Sequence, residues 1–284
     1  MLRRSLTTIS QHYTKTNYNI EEARDLFKNL GNGSVKLEKD DENGIGRILI
    51  DNQKKKNAFT GKMFVDFENC VNELKNWSNG KIVVVEGMGS DFCTGGDLEF
   101  VKKIATPSLG YWMNSYFGGV LKNLSNLPII SVANIKGFCL GGGTEIVSNC
   151  DLRFIHDSGK IGVVQGKMGV LQTWNGASKL IEIVGKHNAL KLLAMSIVLP
   201  PKKALEIGLV DEIYSCDDQF NRLIRKLSQN SVDVIRNGKQ MYMDLSKEQG
   251  LSSDELHKIE LKYSTEVWGG EHHVNALNSQ VKHK

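Results

Sequence analysis

The sequence predicts an α/β fold, and three observations predict it. IVVVE at 82–86 and PIISVANIKG at 128–137 are runs of apolar and β-branched residues, the pattern of strands buried on both faces. Between strands lie stretches of helical spacing, and strands alternating with helices argue for α/β layers. From about residue 176 the pattern changes and helical segments take over.

Taken in order, residues 21–30 read as a short helix and IGRILID at 45–51 as a strand. Across 61–77, Phe64, Phe67, Val71, Leu74 and Trp77 fall on one helical stripe, closed by Ser78-Asn79-Gly80. DLRFIHD at 151–157 reads as a further strand. Helices are then expected at 176–184, 187–195, 202–208, 217–228, 231–246 and 253–267, with one short strand near 209–214. Pro200-Pro201 breaks the chain between two of them. The expected layout is a tail at 1–20, an α/β core at 21–215 and a helical region at 216–284 that covers the core or packs against another subunit.

Hydrophobic residues at 40% and charged residues at 24% exclude an intrinsically disordered chain. The five cysteines are odd in number and form no C-x-x-C pair, which suits a reducing compartment and argues against a zinc site or a disulfide scaffold. No apolar run is long enough to span a bilayer. The net charge of +4 includes Arg3, Arg4 and Lys15 from an acid-free stretch of twenty residues; without them 33 basic residues face 32 acidic ones. A nearly neutral body predicts no nucleic-acid partner. Leu2, Leu6, Ile9 and Tyr13 fall near one helical face with Ser and Thr between them, so the tail reads as a mitochondrial presequence or as a plain N-terminal tail.

Two glycine turns carry the chemical signal. LGGGTE at 140–145 follows a buried strand, and a helix starting near Thr144 would leave glycine N–H groups among its unsatisfied first-turn donors. FCTGGDLEF at 92–100 also follows a buried strand and opens a helix, with Asp97 placed to cap it. Two such turns on one sheet can converge their N–H groups on a single point, which suits a charge developing on oxygen. NQKKKNAFT at 52–60 carries Lys54, Lys55 and Lys56, a solvated run or a phosphate contact. His272-His273 has no acidic partner at ligand spacing, and His156 reads as a hydrogen-bonded residue at a strand end. Cys93 and Cys139 read as small apolar residues, not nucleophiles. No metal site is expected.

These residues together resemble the crotonase (enoyl-CoA hydratase/isomerase) superfamily: the NAF loop, FCTGGDL, FCLGGGTE, Cys150-Asp151 and ALEIGLVDEI at 204–213, in that order. The resemblance runs from about Gly44 to the C-terminus. It implies a spiral of ββα units with a helical C-terminal region, assembly into homotrimers or hexamers, an acyl-CoA substrate and no cofactor. It also implies an oxyanion hole made by the N–H groups of Thr94 and Gly142, with Gly95, Gly96, Asp97 and Gly141 lining the thioester and Lys54 to Lys56 near the adenosine diphosphate. Hydratases of this superfamily use two glutamates; the first falls on Glu145, but the second position holds Gln165.

A glutamine amide holds water yet carries no proton at neutral pH, so hydration loses one of its two proton carriers. Decarboxylation of a 2-carboxyacyl-CoA needs only enolate stabilisation and one proton donor, for which Glu145 is the candidate. MGVLQTWNG at 168–176 and TEVWGG at 265–270 resemble the decarboxylating branch, with Trp174 either an apolar wall beside the leaving carboxylate or a core aromatic. The rivals are an enoyl-CoA hydratase or isomerase and a non-catalytic CoA- or RNA-binding protein. The decarboxylating branch implies the cytosol, the tail a mitochondrial address.

Overall fold

The computed structural model describes residues 17–247 and 250–279, so the expectation for the tail lies mostly outside the described residues. α1 (Ile20–Phe27) precedes a hairpin of β1 (Ser34–Asp40) and β2 (Ile45–Asp51). Then come α2 (Gly61–Lys75), β3 (Ile82–Gly87), α3 (Leu98–Lys103), α4 (Pro107–Ser125), β4 (Ile130–Ile135) and β5 (Phe138–Leu140). α5 (Gly142–Ser148), β6 (Leu152–His156), β7 (Lys160–Gly162), α6 (Gly176–Met195), β8 (Val198–Leu199), α7 (Pro201–Glu206) and β9 (Glu212–Tyr214) follow. Four helices complete the described chain: α8 (Asp217–Leu227), α9 (Val232–Lys247), α10 (Ser253–Val267) and α11 (Glu271–Asn278).

The main sheet has the order β1-β2-β3-β4-β6-β9; β1 is antiparallel to β2 and the other pairs are parallel. Its central strands β3 and β4 are covered on both faces, and the period of two sorts their side chains. Val83 and Val85 enter the larger core with the helices, whereas Ile82, Val84 and Val132 pack with Phe154, Tyr214, Phe220 and Ile224 beneath α8. A small second sheet, β5-β7-β8, stands beside it. α9 is tied to the sheet by the buried Lys239, whose Nζ donates to the Ile129 carbonyl at 2.8 Å and to Asp151 Oδ2 at 2.7 Å.

The expected strands at 45–51, 82–86 and 151–157 match β2, β3 and β6, while 128–137 is shortened to β4. The helices expected at 176–184 and 187–195 are continuous in α6 except at Gly185, whose φ of 73° breaks the helix. Six elements were not expected: β1, α4, α11 and the three short strands β5, β7 and β8 of the second sheet. β1 (SVKLEKD) is a polar edge strand whose alternation is shallow, and α11 lies in what reads as a polar tail. α4 is a 19-residue helix capped by Thr106, with Leu109, Trp112, Tyr116, Phe117, Val120, Leu121 and Leu124 buried. Among the described residues no helix is long and apolar enough to cross a membrane.

Candidate active site

The two glycine turns are stitched to each other by backbone hydrogen bonds. Cys93 donates its N–H to the Phe138 carbonyl at 3.0 Å, and Leu140 donates to the Cys93 carbonyl at 2.9 Å. Glycine is required where they touch. A Cβ on Gly143 would stand 2.3 Å from the Cys93 carbonyl oxygen, and one on Gly95, where φ is +99°, would stand 3.0 Å from the Gly142 amide nitrogen.

The donors of these turns are not used alike. Thr94 N–H donates to the Lys56 carbonyl at 3.2 Å and is already engaged, which corrects the expectation that it is a free oxyanion donor. The neighbouring Gly96 sits in a short parallel bridge to Phe59: Phe59 N–H donates to the Gly95 carbonyl, and Asp97 N–H to the Phe59 carbonyl, both at 2.7 Å. That alternation turns the Gly96 N–H away from Phe59. Among the described residues the N–H groups of Gly96 and Gly142 have no acceptor. Gly142 opens α5 after Gly141, a cap residue at φ 56° with no side-chain cap bond.

Asp97 is committed elsewhere. Its Oδ1 accepts from Glu99 N–H at 3.0 Å and Phe100 N–H at 2.9 Å, capping α3, and its Oδ2 pairs with Lys55 Nζ at 2.8 Å. Burial works to raise the Asp97 carboxyl, yet Lys55 and those N–H groups outweigh it and hold it below the usual carboxylate range. Lys55 also pairs with Glu99 at 3.0 Å, so the middle lysine of the run is bound to protein acids. Lys54 is exposed with no ion pair among the described residues, and Lys56 Nζ lies 4.3 Å from the Phe138 ring centroid, with Lys160 Nζ at 5.8 Å from the same ring. The loop itself is pinned by buried Asn57, which donates to the carbonyls of Met88 at 2.9 Å and Asp91 at 2.7 Å.

Glu145 projects from α5 and is 3% exposed. Oε2 accepts from Trp174 N–H at 2.7 Å, and Oε1 accepts from Gln165 Nε2 at 3.1 Å. Burial, partly offset by the Trp174 N–H, the Gln165 amide and the Thr173 backbone, pushes its pKa up to about 7. Gly176 at the start of α6 makes room for it, since a Cβ there would stand 2.5 Å from Glu145 Cγ. Asn149 donates to the carbonyls of both Glu145, at 2.8 Å, and Trp174, at 3.2 Å, tying α5 to the loop that holds its carboxylate. Gln165 is also buried, and its Oε1 has no hydrogen-bond partner among the described residues.

Trp174 is a core aromatic. Its ring meets Phe64 and Phe117 edge-on, with centroids at 5.3 and 5.0 Å, and lies so close beneath Gly142 that a Cβ there would stand 2.2 Å from it. It therefore supports the second turn with its ring and holds Glu145 with its backbone. The remaining tempting groups stay out of the chemistry. Burial pushes the Cys93 thiol up to about 12 and Cys139 well above its ordinary value. His156 bonds Ser158 Oγ at 2.7 Å and the Ser215 carbonyl at 3.2 Å, and no cluster of metal-ligating side chains occurs among the described residues.

Sequence reasoning missed Gly96 as the unspent donor, because which N–H a loop consumes depends on its register against the NAF loop. It also missed Asn57, Asn149 and Gly176, which position the others; Asn57 carried a signal only as part of the NAF motif.

This mainly parallel sheet, with paired glycine turns beside a buried glutamate, has the fold of the enoyl-CoA hydratase/isomerase family, to which the chain belongs: the family's sequence profile matches residues 40–266. It is 34% identical over 282 residues to an ethylmalonyl-CoA decarboxylase of Rattus norvegicus, covering 98% of this chain and 93% of that protein. A Danio rerio protein of the same name is 37% identical over 257 residues, covering 89% of this chain and 85% of the relative. Among solved structures, an enoyl-CoA hydratase from Bacillus anthracis superposes with a TM-score of 0.79 over 88% of this chain and 96% of that one, at 19% identity, which speaks for the fold alone.

Proposed function

We propose that this chain decarboxylates a 2-carboxyacyl-CoA, with ethylmalonyl-CoA as the leading substrate and methylmalonyl-CoA as a smaller one, to the shorter acyl-CoA. The observation that carries the reading is the partner of Glu145: one buried carboxylate faces an amide and not a second carboxylate. Hydration needs one group to activate water and another to exchange a proton at the adjacent carbon, and a glutamine fills neither role. Decarboxylation breaks the bond between the α-carbon and the carboxylate, sends its electron pair into the thioester enolate and then requires one proton at that carbon. The names of the relatives at 34% and 37% identity favour the same chemistry.

In this reading the enolate oxygen lies between the N–H groups of Gly96 and Gly142, Gly96 replacing Thr94, whose N–H is spent. Glu145 delivers the proton, and a pKa of about 7 gives it an acidic form to donate near neutral pH. Gln165 orients the substrate carboxylate, and the Trp174 ring backs the acyl pocket. Lys54 and Lys56 meet the phosphates of CoA, with Lys160 beside them. Homotrimeric or hexameric assembly and a cytosolic setting belong to the same proposal. The test is turnover of purified protein on ethylmalonyl-CoA, methylmalonyl-CoA and crotonyl-CoA. CO2 release from the first two with negligible hydration of the third is expected; brisk crotonyl-CoA hydration with ethylmalonyl-CoA untouched would overturn the reading.

A further inference from the structure

Gln165 presents an amide whose two ends are treated unequally. Nε2 donates to Glu145 Oε1 at 3.1 Å, while Oε1 is buried without a partner, a costly arrangement for an acceptor. An amide can turn over with little change of shape, exchanging the two ends. Turned over, its oxygen would face Glu145 Oε1, and two acceptor oxygens at hydrogen-bonding distance need a proton between them. The amide therefore faces Glu145 with N–H when Glu145 is a carboxylate and with oxygen when it is a carboxylic acid. Whichever end faces Glu145, the opposite end is left for something else: an acceptor in the first state, a donor in the second.

We propose that Gln165 is a positioning residue that loads Glu145 with a proton when a substrate carboxylate binds. The inference rests on the decarboxylase reading and deepens it. A substrate carboxylate only accepts hydrogen bonds, so it is repelled by the orphaned oxygen and bound by the amide NH2. Its arrival selects the turned amide, and the turned amide requires a protonated Glu145, which takes its proton from water. The α-carbon–carboxylate bond then breaks, CO2 leaves and the electron pair forms the enolate. The Glu145 O–H bond breaks next, its proton forms the new C–H bond at the α-carbon, and Glu145 is again a carboxylate. With the substrate carboxylate gone, the amide turns back to donate to Glu145. One proton is taken up for each CO2 released, as the reaction requires. A glutamate at 165 would lack the N–H for this exchange.

Among the described residues no charged group acts on Glu145. The groups against it are Gln165, the Thr173 and Trp174 backbone, Gly176 and Asn149, all uncharged, and the titratable Cys93 in the neighbouring turn is neutral because burial pushes it up to about 12. Burial already sets the Glu145 pKa at about 7, so a modest push from the turned amide completes its protonation.

The test counts protons. Binding is followed by calorimetry in buffers of differing ionisation enthalpy, using an unreactive ethylmalonyl-CoA analogue with its thioester sulfur replaced by NH, and butyryl-CoA, which lacks the carboxylate. At about pH 8, where free Glu145 is mostly ionised, the wild type should take up about one proton per analogue bound and almost none with butyryl-CoA. In Gln165→Leu the uptake with the analogue should vanish while butyryl-CoA still binds. The pH profiles should separate too: the alkaline fall of wild-type kcat should lie above that of kcat/KM, and the two should coincide in Gln165→Leu. No uptake in the wild type, equal uptake with butyryl-CoA, or full uptake in Gln165→Leu would overturn the relay. Since the first two comparisons need no variant, a misfolded Gln165→Leu does not blunt the test. CO2 release in turnover without proton uptake on analogue binding would sink the relay alone, whereas absence of CO2 release would sink the decarboxylase reading itself.

Discussion

The turns at 92–97 and 140–145 are spelled with nearly the same letters, each running from a strand through glycines into a helix with an acid close behind, and the structure uses them in opposite ways. At the first, Asp97 caps α3 by accepting from the Glu99 and Phe100 N–H groups and pairs with Lys55, and the acid is held ionised. At the second, α5 begins on glycine with no side-chain cap, leaving Gly142 N–H unspent, and Glu145 is buried with its pKa raised to about 7. The lesson is that two turns of like spelling differ in which of their donors are left over. Gly96 on the first turn and Gly142 on the second, in the touching segments, are among the N–H groups with no acceptor among the described residues.

The comparison can be broken most severely at Gly142. Gly142→Pro removes the N–H and should lower kcat by about 10²–10³-fold, the usual loss for one oxyanion donor. Gly142→Ala places the same Cβ against Trp174 but keeps the N–H, so the extra loss in the proline variant isolates the donor. Circular dichroism and CoA affinity must be followed beside the rate.

The two acids should respond to pH with opposite sign. A carboxyl whose folded pKa is raised contributes stability that is lost as pH rises from about 4.5 to about 7. Glu145→Gln should therefore abolish turnover yet raise stability at pH 8 by about 3 kcal/mol at most, with no gain at pH 4. Asp97 is depressed, so its contribution is present above the ordinary carboxylate pKa and fades as pH falls through the folded value. Asp97→Ala should cost about 1 kcal/mol of stability at neutral pH, and less in acid, as for other lost caps. Thermal melts across pH check both. The smallest effect belongs to Thr94→Ala, whose N–H survives the change: stability should move by no more than about 0.5 kcal/mol and kcat by little. A large loss of kcat there would give the Thr94 hydroxyl, which donates to the Lys55 and Lys56 carbonyls, a part in holding the first turn.

The parts of the fold carried by local pattern were legible in the sequence. The β-branched run at 82–86 became β3, DLRFIHD at 151–157 became β6, and the stripe from Phe64 to Leu74 became the buried face of α2. α4 was concealed because Gly118 and Gly119 interrupt its stripe, and glycine is a poor helix former. Gly118 is there for a distant partner, since a Cβ on it would stand 3.3 Å from the Thr173 carbonyl of the loop that holds Glu145. The site shows the same division. Glu145, Gln165 and Gly142 were readable as motif positions, but the spent donor at Thr94, the setting of Gln165 and the hidden work of Asn149 on the Trp174 loop and of Gly176 arise from contacts 20 or more residues apart.

The claim that one proton carrier suffices is tested most directly by giving the site a second one. Gln165→Glu places a carboxylate where the substrate's own carboxylate is proposed to bind, and like charges about 4 Å apart repel by about 4 kcal/mol at an effective dielectric of about 20. Protonation of the new glutamate relieves part of this, so the loss should be smaller and should deepen as pH rises. The measurement is the ratio of CO2 release from ethylmalonyl-CoA to hydration of crotonyl-CoA, in wild type and Gln165→Glu. The account predicts a high ratio in the wild type that falls in the variant, through slower decarboxylation and a measurable rise in hydration. A wild type that hydrates crotonyl-CoA readily, or a variant that decarboxylates as well as its parent, would contradict it.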